Sequence, residues 1–139
     1  MKKRHRLRVE EYFRNDRAPV AVHRLAEQTD MSSHLHEFWE IVFILSGEGR
    51  HVTGESRHEI SAGDVLVINN RREHGYENTR ELSLVNVLFR DDALREAERE
   101  LGVLPGYHAL FTLEPVRWRR RAFTSRLRLN ARDLRTASE

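Results

Sequence analysis

Apolar residues fall in short blocks along most of this chain, and polar, glycine-bearing turns separate the blocks. Residues 38–45 (FWEIVFIL) are rich in β-branched and aromatic side chains, which predicts a strand. Gly47 and Gly49 punctuate its end. Residues 50–53 and 56–61 read as a hairpin around Gly54-Glu55. Residues 64–68 (DVLVI), after Gly63, read as a buried strand, and residues 69–73 as a polar loop. Two further strands are predicted at 74–78 and 82–89. Upstream, a strand begins at residues 19–22 and a polar turn is expected at 29–33. Residues 9–15 read as a short helical or irregular arm.

Beyond residue 90 the period changes. Asp91-Asp92 is a candidate cap for a helix in which Leu94, Ala97 and Leu101 recur at helical spacing. Gly102 and Pro105-Gly106 are expected to end it. A second helical pattern starts at Asn130, a candidate N-cap, and its shortness suggests a piece of something longer. Many short strands at close spacing point to an all-β sandwich or barrel with short C-terminal helices. The expected division is an arm at 1–18, a barrel at 19–113 and the start of a helical linker or dimerisation segment at 114–139.

Length and composition leave that picture intact. The 139 residues fit one domain. With 33% charged and 39% hydrophobic residues the mix is that of a soluble globular protein. No apolar run approaches the length of a membrane span, and the basic N-terminus lacks the apolar stretch of a signal peptide. There are no cysteines, so disulfides and thiolate metal sites are excluded, and a cytoplasmic location is the expectation. Basic residues cluster at Lys2, Lys3, Arg4, Arg6 and Arg8. A second cluster comprises Arg117, Arg119, Arg120, Arg121, Arg126, Arg128, Arg132 and Arg135. Without aromatic interleaving or a DNA-reading motif, these are expected to be solvated faces.

The candidate chemistry lies in His34, His36, Glu40 and His74. His34 and His36 are two apart, so in extended chain both side chains leave one face. Imidazole nitrogens and a carboxylate suit a borderline divalent ion. In a straight strand Glu40 would lie about 13 Å from His36, at roughly 3.3 Å per residue, too far to share an ion. A common site therefore requires a bend at residues 37–39. His74 would have to come from another strand facing the same cavity. Along 82–89 the even positions are Leu82, Leu84, Asn86 and Leu88, which places one amide in an apolar row. A buried amide needs a partner, either in the protein or on a ligand.

The stretch from His34 to Gly47 resembles the first cupin motif: HxH, three residues, Glu, six residues, Gly. Gln28 stands where that motif has an earlier glycine. Gly63, His74 and Asn78 fall in the register of the second motif, with Asn69 and Arg71 in place of its Pro and Gly. The resemblance implies a cupin or jelly-roll β-barrel. It also implies one divalent ion (Zn, Ni, Mn or Fe) held by His34, His36, Glu40 and His74. The flanking blocks EEYFRND, HEFWEIVFILSGEGRHV, GDVLVINNRREHGY, LSLVNVLF and LPGYHALF, in that order, resemble the sensor domains of AraC-type regulators, above all the rhamnose-responsive members. This implies a non-enzymatic, effector-binding domain that works as a homodimer and reaches DNA through a C-terminal helix-turn-helix domain. No helix-turn-helix pattern is found in these residues. Arabinose-sensing relatives place effector contacts at positions matching Ser46, Tyr76, Leu84 and Asn86. Those relatives carry an arginine at the position of Ser46 and a tryptophan at that of Asn86, so a different sugar or sugar-like effector is expected.

Two other readings stay open at this point. One is a stand-alone metal-dependent cupin enzyme, a dioxygenase or sugar isomerase, in which the ion acts as a Lewis acid or oxygen activator. The other is a structural dimerisation module with a vestigial pocket. The histidines His5, His23, His51, His58 and His108 follow no ligand spacing and are expected to be surface or satisfied core residues.

Overall fold

Two long strands organise the protein, which is described here from a computed structural model covering residues 5–15, 17–113 and 127–139. In chain order the strands are β1 (Arg6–Leu7), β2 (Val20–Leu25), β3 (Met31–His36), β4 (Trp39–Thr53), β5 (Ser56–Ser61), β6 (Asp64–Ile68), β7 (His74–Phe89) and β8 (Leu127–Arg128). The helices are α1 (Val9–Tyr12), α2 (Asp91–Leu101), α3 (Pro105–His108), which runs into a wider turn at Ala109–Leu113, and α4 (Ala131–Ser138).

β4 and β7 pair antiparallel along nearly their whole length, from Trp39 opposite Phe89 to Val52 opposite Gly75. At one end β2 flanks β7 and β6 flanks β4; at the other, β3 flanks β7 and β5 flanks β4. β1 adds to β3 in parallel, and β8 adds to β6. The result is the jelly-roll arrangement of the cupin fold, with short helices at its C-terminal end. The sheet wraps a cavity, but its ladder does not close on itself.

The wrapping has a local cause. Register shifts interrupt the β4–β7 ladder between Ile44 and Arg50. Gly47 there has φ +77°, and a Cβ on it would run into the carbonyls of Arg80 and Glu81. Glu81 and Asn78, on the facing strand, also have positive φ. Irregularities of this kind bend a strand and raise its twist without ending it. That is why 74–78 and 82–89, expected as two strands, form one. The turn expected at 29–33 is likewise drawn into β3. The Asp30 carboxylate accepts from the Asn78 and Thr79 amides at 3.0 and 2.8 Å and from the Thr79 hydroxyl at 2.8 Å. This ties the start of β3 to the bend of β7.

The core follows from the strand pattern. Val42, Ile44, Ile60, Leu66, Ile68, Leu82 and Leu84 pack inside the sheet. Ile41, Val65 and Val67 point to its other face, where Trp39, Phe89, Phe111 and Leu127 pack against them. β4 and β6 are thus covered on both faces there, which explains their continuous apolar runs. Leu7 and Phe13 of the N-terminal arm pack with Phe38 and Leu88.

The cap of α2 differs from expectation. Arg90 is its N-cap, and Asp91 and Asp92 sit in the first turn, where carboxylates favour the helix dipole. Asp91 is taken up by the Trp39 indole N–H at 3.2 Å and the Arg95 guanidinium at 2.6 Å. Pro105 opens α3 instead of only ending α2. Asn130 does cap α4, accepting from the Asp133 amide at 2.9 Å. Residues 114–126 of the expected linker, and Lys2, Lys3 and Arg4 of the basic N-terminus, lie outside the described residues. Among the described residues, no helix is long and apolar enough to cross a membrane.

The bend supplies a test. Gly47→Ala forces a side chain into a left-handed position against backbone carbonyls, a strain of about 1–3 kcal/mol. The expected result is a lower urea midpoint. An unchanged midpoint would contradict the role given to Gly47.

Candidate metal centre and ligand cavity

β3 delivers two histidines to one face because its residues alternate: His34 and His36 are both buried. The chain then bends at residues 37–38 and restarts as β4 at Trp39. Phe38, 1% exposed, anchors the bend; its ring stacks on that of His36 at 4.9 Å with an interplanar angle of 9°. Glu40, the second residue of β4, is thereby folded back, and its Oε2 lies 3.6 Å from His36 Nε2. His74 opens β7 directly opposite His34. Its Nε2 lies 3.0 Å from His36 Nε2 and 3.4 Å from Glu40 Oε2. His34 Nε2 is 3.1 Å from His36 Nε2. Three histidines and a glutamate from three strands therefore point their donor atoms at one small volume, as the spacing of the motifs implied.

The protons around this cluster can be assigned from its partners. His34 Nδ1 is 2.9 Å from the Ser32 carbonyl, an obligate acceptor, so Nδ1 carries the proton and Nε2 presents a bare lone pair. His36 Nε2 sits between the Nε2 atoms of His34 and His74, while its Nδ1 is buried and makes no hydrogen bond. One proton on His36 Nε2 then serves two acceptors. Glu40 Oε2 is buried with no hydrogen-bond donor. Burial drives the His36 pKa down to about 3 and the Glu40 pKa up to about 8. His34 and His74 are also lowered, chiefly by burial. At neutral pH the His–Glu contacts are thus not ion pairs.

His34 and His74 present lone pairs to the centre, and a divalent cation would use all four groups by displacing the protons on His36 Nε2 and Glu40. For metal–nitrogen bonds of about 2.1 Å, neighbouring donors sit about 3.0 Å apart at right angles and about 3.4 Å at tetrahedral angles. The observed separations of 3.0, 3.1, 3.4 and 3.6 Å fall at that spacing. The donor set therefore fits a borderline divalent ion.

The cluster forms part of the wall of a cavity of about 450 Å³, which the N-terminal arm also lines through Leu7 and Tyr12. Tyr76 and Asn86 face the same space. The Tyr76 hydroxyl and Asn86 Oδ1 are buried and have no hydrogen-bond partner. Burial, and after it the charge of Glu40, pushes the Tyr76 pKa well up, so the hydroxyl stays a donor. The other two expected effector residues stand apart. Leu84 is fully buried in the core, and Ser46 is exposed beside the bends of β4, opposite Ser83. The register shifts there turn Ser46 away from the cavity.

His51 was not expected at the site. It is 1% exposed, and its Nε2 lies 3.0 Å from His74 Nδ1. Counting by twos from Glu40 would send position 51 outward. The register shifts between Ile44 and Arg50 reverse the phase and bring it in. Burial lowers its pKa to about 3. His23 and Arg24 of β2 also line the cavity, and His23 Nε2 lies 2.7 Å from the Tyr12 carbonyl.

Residues 19–133 match the family described as AraC-like ligand binding domain. The HTH-type transcriptional activators RhaS of Yersinia pestis and Yersinia pseudotuberculosis are 38% identical over 86 residues, 61% of this chain. That match covers 32% of each relative, so it spans about a third of their length. Similar solved structures include a cupin-2 domain protein from Shewanella frigidimarina, 16% identical with a TM-score of 0.47 over 55% of this chain and 76% of that one. A predicted oxalate decarboxylase from Thermotoga maritima is 28% identical with a TM-score of 0.43 over 51% and 64%.

The buried titratable groups set an expected pH dependence for the metal-free protein. His34, His36, His51 and His74 all have folded pKa values below the ordinary 6.5. Their contribution is intact above that value and is progressively lost as pH falls below it, because the unfolded chain takes the protons. Glu40, raised to about 8, works the other way: its contribution is full below 4.5 and is lost as pH rises through 8. Four groups outweigh one, so the urea midpoint should fall between pH 7 and pH 5. A midpoint that rises or stays level over that interval would contradict the assigned protonation states.

Proposed function

The chain belongs to the family of AraC-like ligand binding domains, and on that premise we propose that it is the effector-sensing domain of a bacterial transcriptional regulator. The observation that carries the reading is the cavity holding two buried polar groups without protein partners, the Tyr76 hydroxyl and Asn86 Oδ1. Leaving such groups unpaired costs about 1–3 kcal/mol each, and a bound hydroxyl-bearing molecule recovers it. A volume of about 450 Å³ suits a small molecule of sugar size. The polar groups deep in it are amide, phenol and imidazole, with the Arg24 guanidinium among the lining residues, which suits a sugar or sugar-like effector. A tyrosine ring also offers the apolar face on which sugars stack.

In this reading His34, His36, Glu40 and His74 hold one divalent ion, of which Zn, Ni, Mn and Fe are the candidates. The ion would supply a fixed positive charge that polarises an effector oxygen. The chain's own residues do the rest: Tyr76 donates, Asn86 accepts, and the N-terminal arm limits access of water. DNA contact is the task of a helix-turn-helix domain outside these residues, by analogy with relatives whose match covers a third of their length. The regulator is read as a homodimer in the cytoplasm.

A metal-dependent cupin enzyme, a dioxygenase or sugar isomerase, is the second reading. The open donor cluster facing the cavity favours it. Turnover of a sugar or catechol by metal-loaded protein, lost in His36→Ala, would replace the sensor reading with this one.

The effector reading is tested by thermal shift against a panel of aldoses, 6-deoxyhexoses and sugar acids, with Zn(II) present and absent. One class is expected to raise Tm by mass action. Tyr76→Phe should weaken that ligand by about 5–30-fold, the equivalent of one lost hydrogen bond of about 1–2 kcal/mol. No stabilising ligand, or full affinity in Tyr76→Phe, would overturn the assignment; the first outcome is the one a vestigial pocket gives.

A further inference from the structure

His74 is the one cluster histidine whose rear nitrogen faces another histidine. His34 is held from behind by the Ser32 carbonyl at 2.9 Å. His36 has no partner behind it. His74 Nδ1 meets His51 Nε2 at 3.0 Å, between two residues that are each 1% exposed. We propose that His51 is a positioning residue that accepts the Nδ1 proton of His74 and so fixes the tautomer whose Nε2 lone pair faces the cluster. The proposal rests on the reading of that cluster as a cation site.

A neutral imidazole carries one proton, so a hydrogen bond at either nitrogen decides what the other can do. The Ser32 carbonyl leaves His34 Nε2 bare. His36, with an unpartnered Nδ1 in an apolar surrounding, keeps its proton on Nε2 and offers it to both neighbours. His74 Nε2 must then be bare too, and its proton lies on Nδ1. The atom facing that proton is His51 Nε2, which therefore presents a lone pair and leaves the His51 proton on Nδ1. A single consistent pattern satisfies every short nitrogen contact, and it has His51 as acceptor.

The framework holds His51 to this task. Its residue lies opposite Tyr76 in the β4–β7 ladder, and its ring is 5.7 Å from the Tyr76 ring and 5.2 Å from the His74 ring. The position faces inward because of the β4 bends, as shown above. Partners behind metal-binding histidines are usually carboxylates, carbonyls or water, and removing one costs about 10–100-fold in metal affinity. A histidine in that place supplies the acceptor without adding a second carboxyl group to the cluster.

The test uses the whole chain, with Zn(II) as the probe and two readouts. In metal-free wild type, long-range ¹⁵N–¹H correlation should show His74 protonated at Nδ1. His51→Phe, which keeps a ring but removes the acceptor, should shift His74 toward the Nε2-protonated tautomer. By chelator competition His51→Phe should bind Zn(II) about 10–100-fold more weakly than wild type. His51→Gln, whose amide oxygen can accept, should recover most of that loss. A near-native Tm for His51→Gln serves as the folding control should His51→Phe be unstable. Failure of wild type to bind one equivalent of Zn(II) would remove the cation reading, and the tautomer measurement would then judge His51 by itself. Nε2-protonated His74 in wild type overturns the proposal. So does wild-type Zn(II) affinity in folded His51→Phe.

Discussion

The site depends on the two-residue bend between β3 and β4. An uninterrupted strand would place Glu40 about 13 Å from His36, at roughly 3.3 Å per residue. With residues 37 and 38 out of the ladder, the carboxylate returns to 3.6 Å from the imidazole. Phe38 is what makes the bend permanent. Its ring is buried against Leu88 and the N-terminal arm, and it lies flat on His36. Fully burying such a side chain contributes about 1.5–3 kcal/mol, and here that stabilisation is tied to the geometry of the donor set. Glu37 adds a second tie, since its carboxylate accepts from the Val9 amide at 3.1 Å and its own amide donates to the Leu7 carbonyl at 3.0 Å. The arm, the bend and the cluster thus form one unit.

The cavity inherits its chemistry from the same arrangement. Four buried titratable side chains are kept neutral by desolvation, so the metal-free cluster is polar but uncharged. A cation would find the three histidine donor atoms within 4.8 Å of one another and the Glu40 carboxylate beside them. Tyr76 and Asn86, on the same β7 that carries His74, leave two hydrogen-bonding groups for a guest. A ligand touching those residues would touch the strand that carries the cluster. Because β7 also pairs with β2, β3 and β4, such contacts reach most of the sheet.

Much of this was legible in the sequence because it is local. The HxH spacing, the position of Glu40 and the glycine at 47 fix the first motif, and His74 follows from the second. The strands at 56–61 and 64–68 appear with the bounds their turn signals set. What could not be read is what depends on phase. The shifts in β4 decide that Ser46 faces out and His51 faces in, and no pattern of apolar residues announces them. The merging of two predicted strands into β7 has the same origin, in positive φ at Asn78 and Glu81. The extension of β3 through Ser32 and Ser33 is a tertiary effect, imposed by the Asp30 carboxylate on the facing strand. Asn86 could be placed among inward positions from the alternation of 82–89, whereas Tyr76 entered only through the resemblance to arabinose-sensing relatives; both line the cavity.

His34, His36, His74 and Glu40 converge in the wall of the cavity as a single candidate cation site. The most direct measurement is zinc K-edge X-ray absorption on the protein loaded with one equivalent of Zn(II). The account predicts three imidazole nitrogens at about 2.0–2.1 Å together with carboxylate or water oxygen. A spectrum dominated by oxygen, with one imidazole or none, would contradict it.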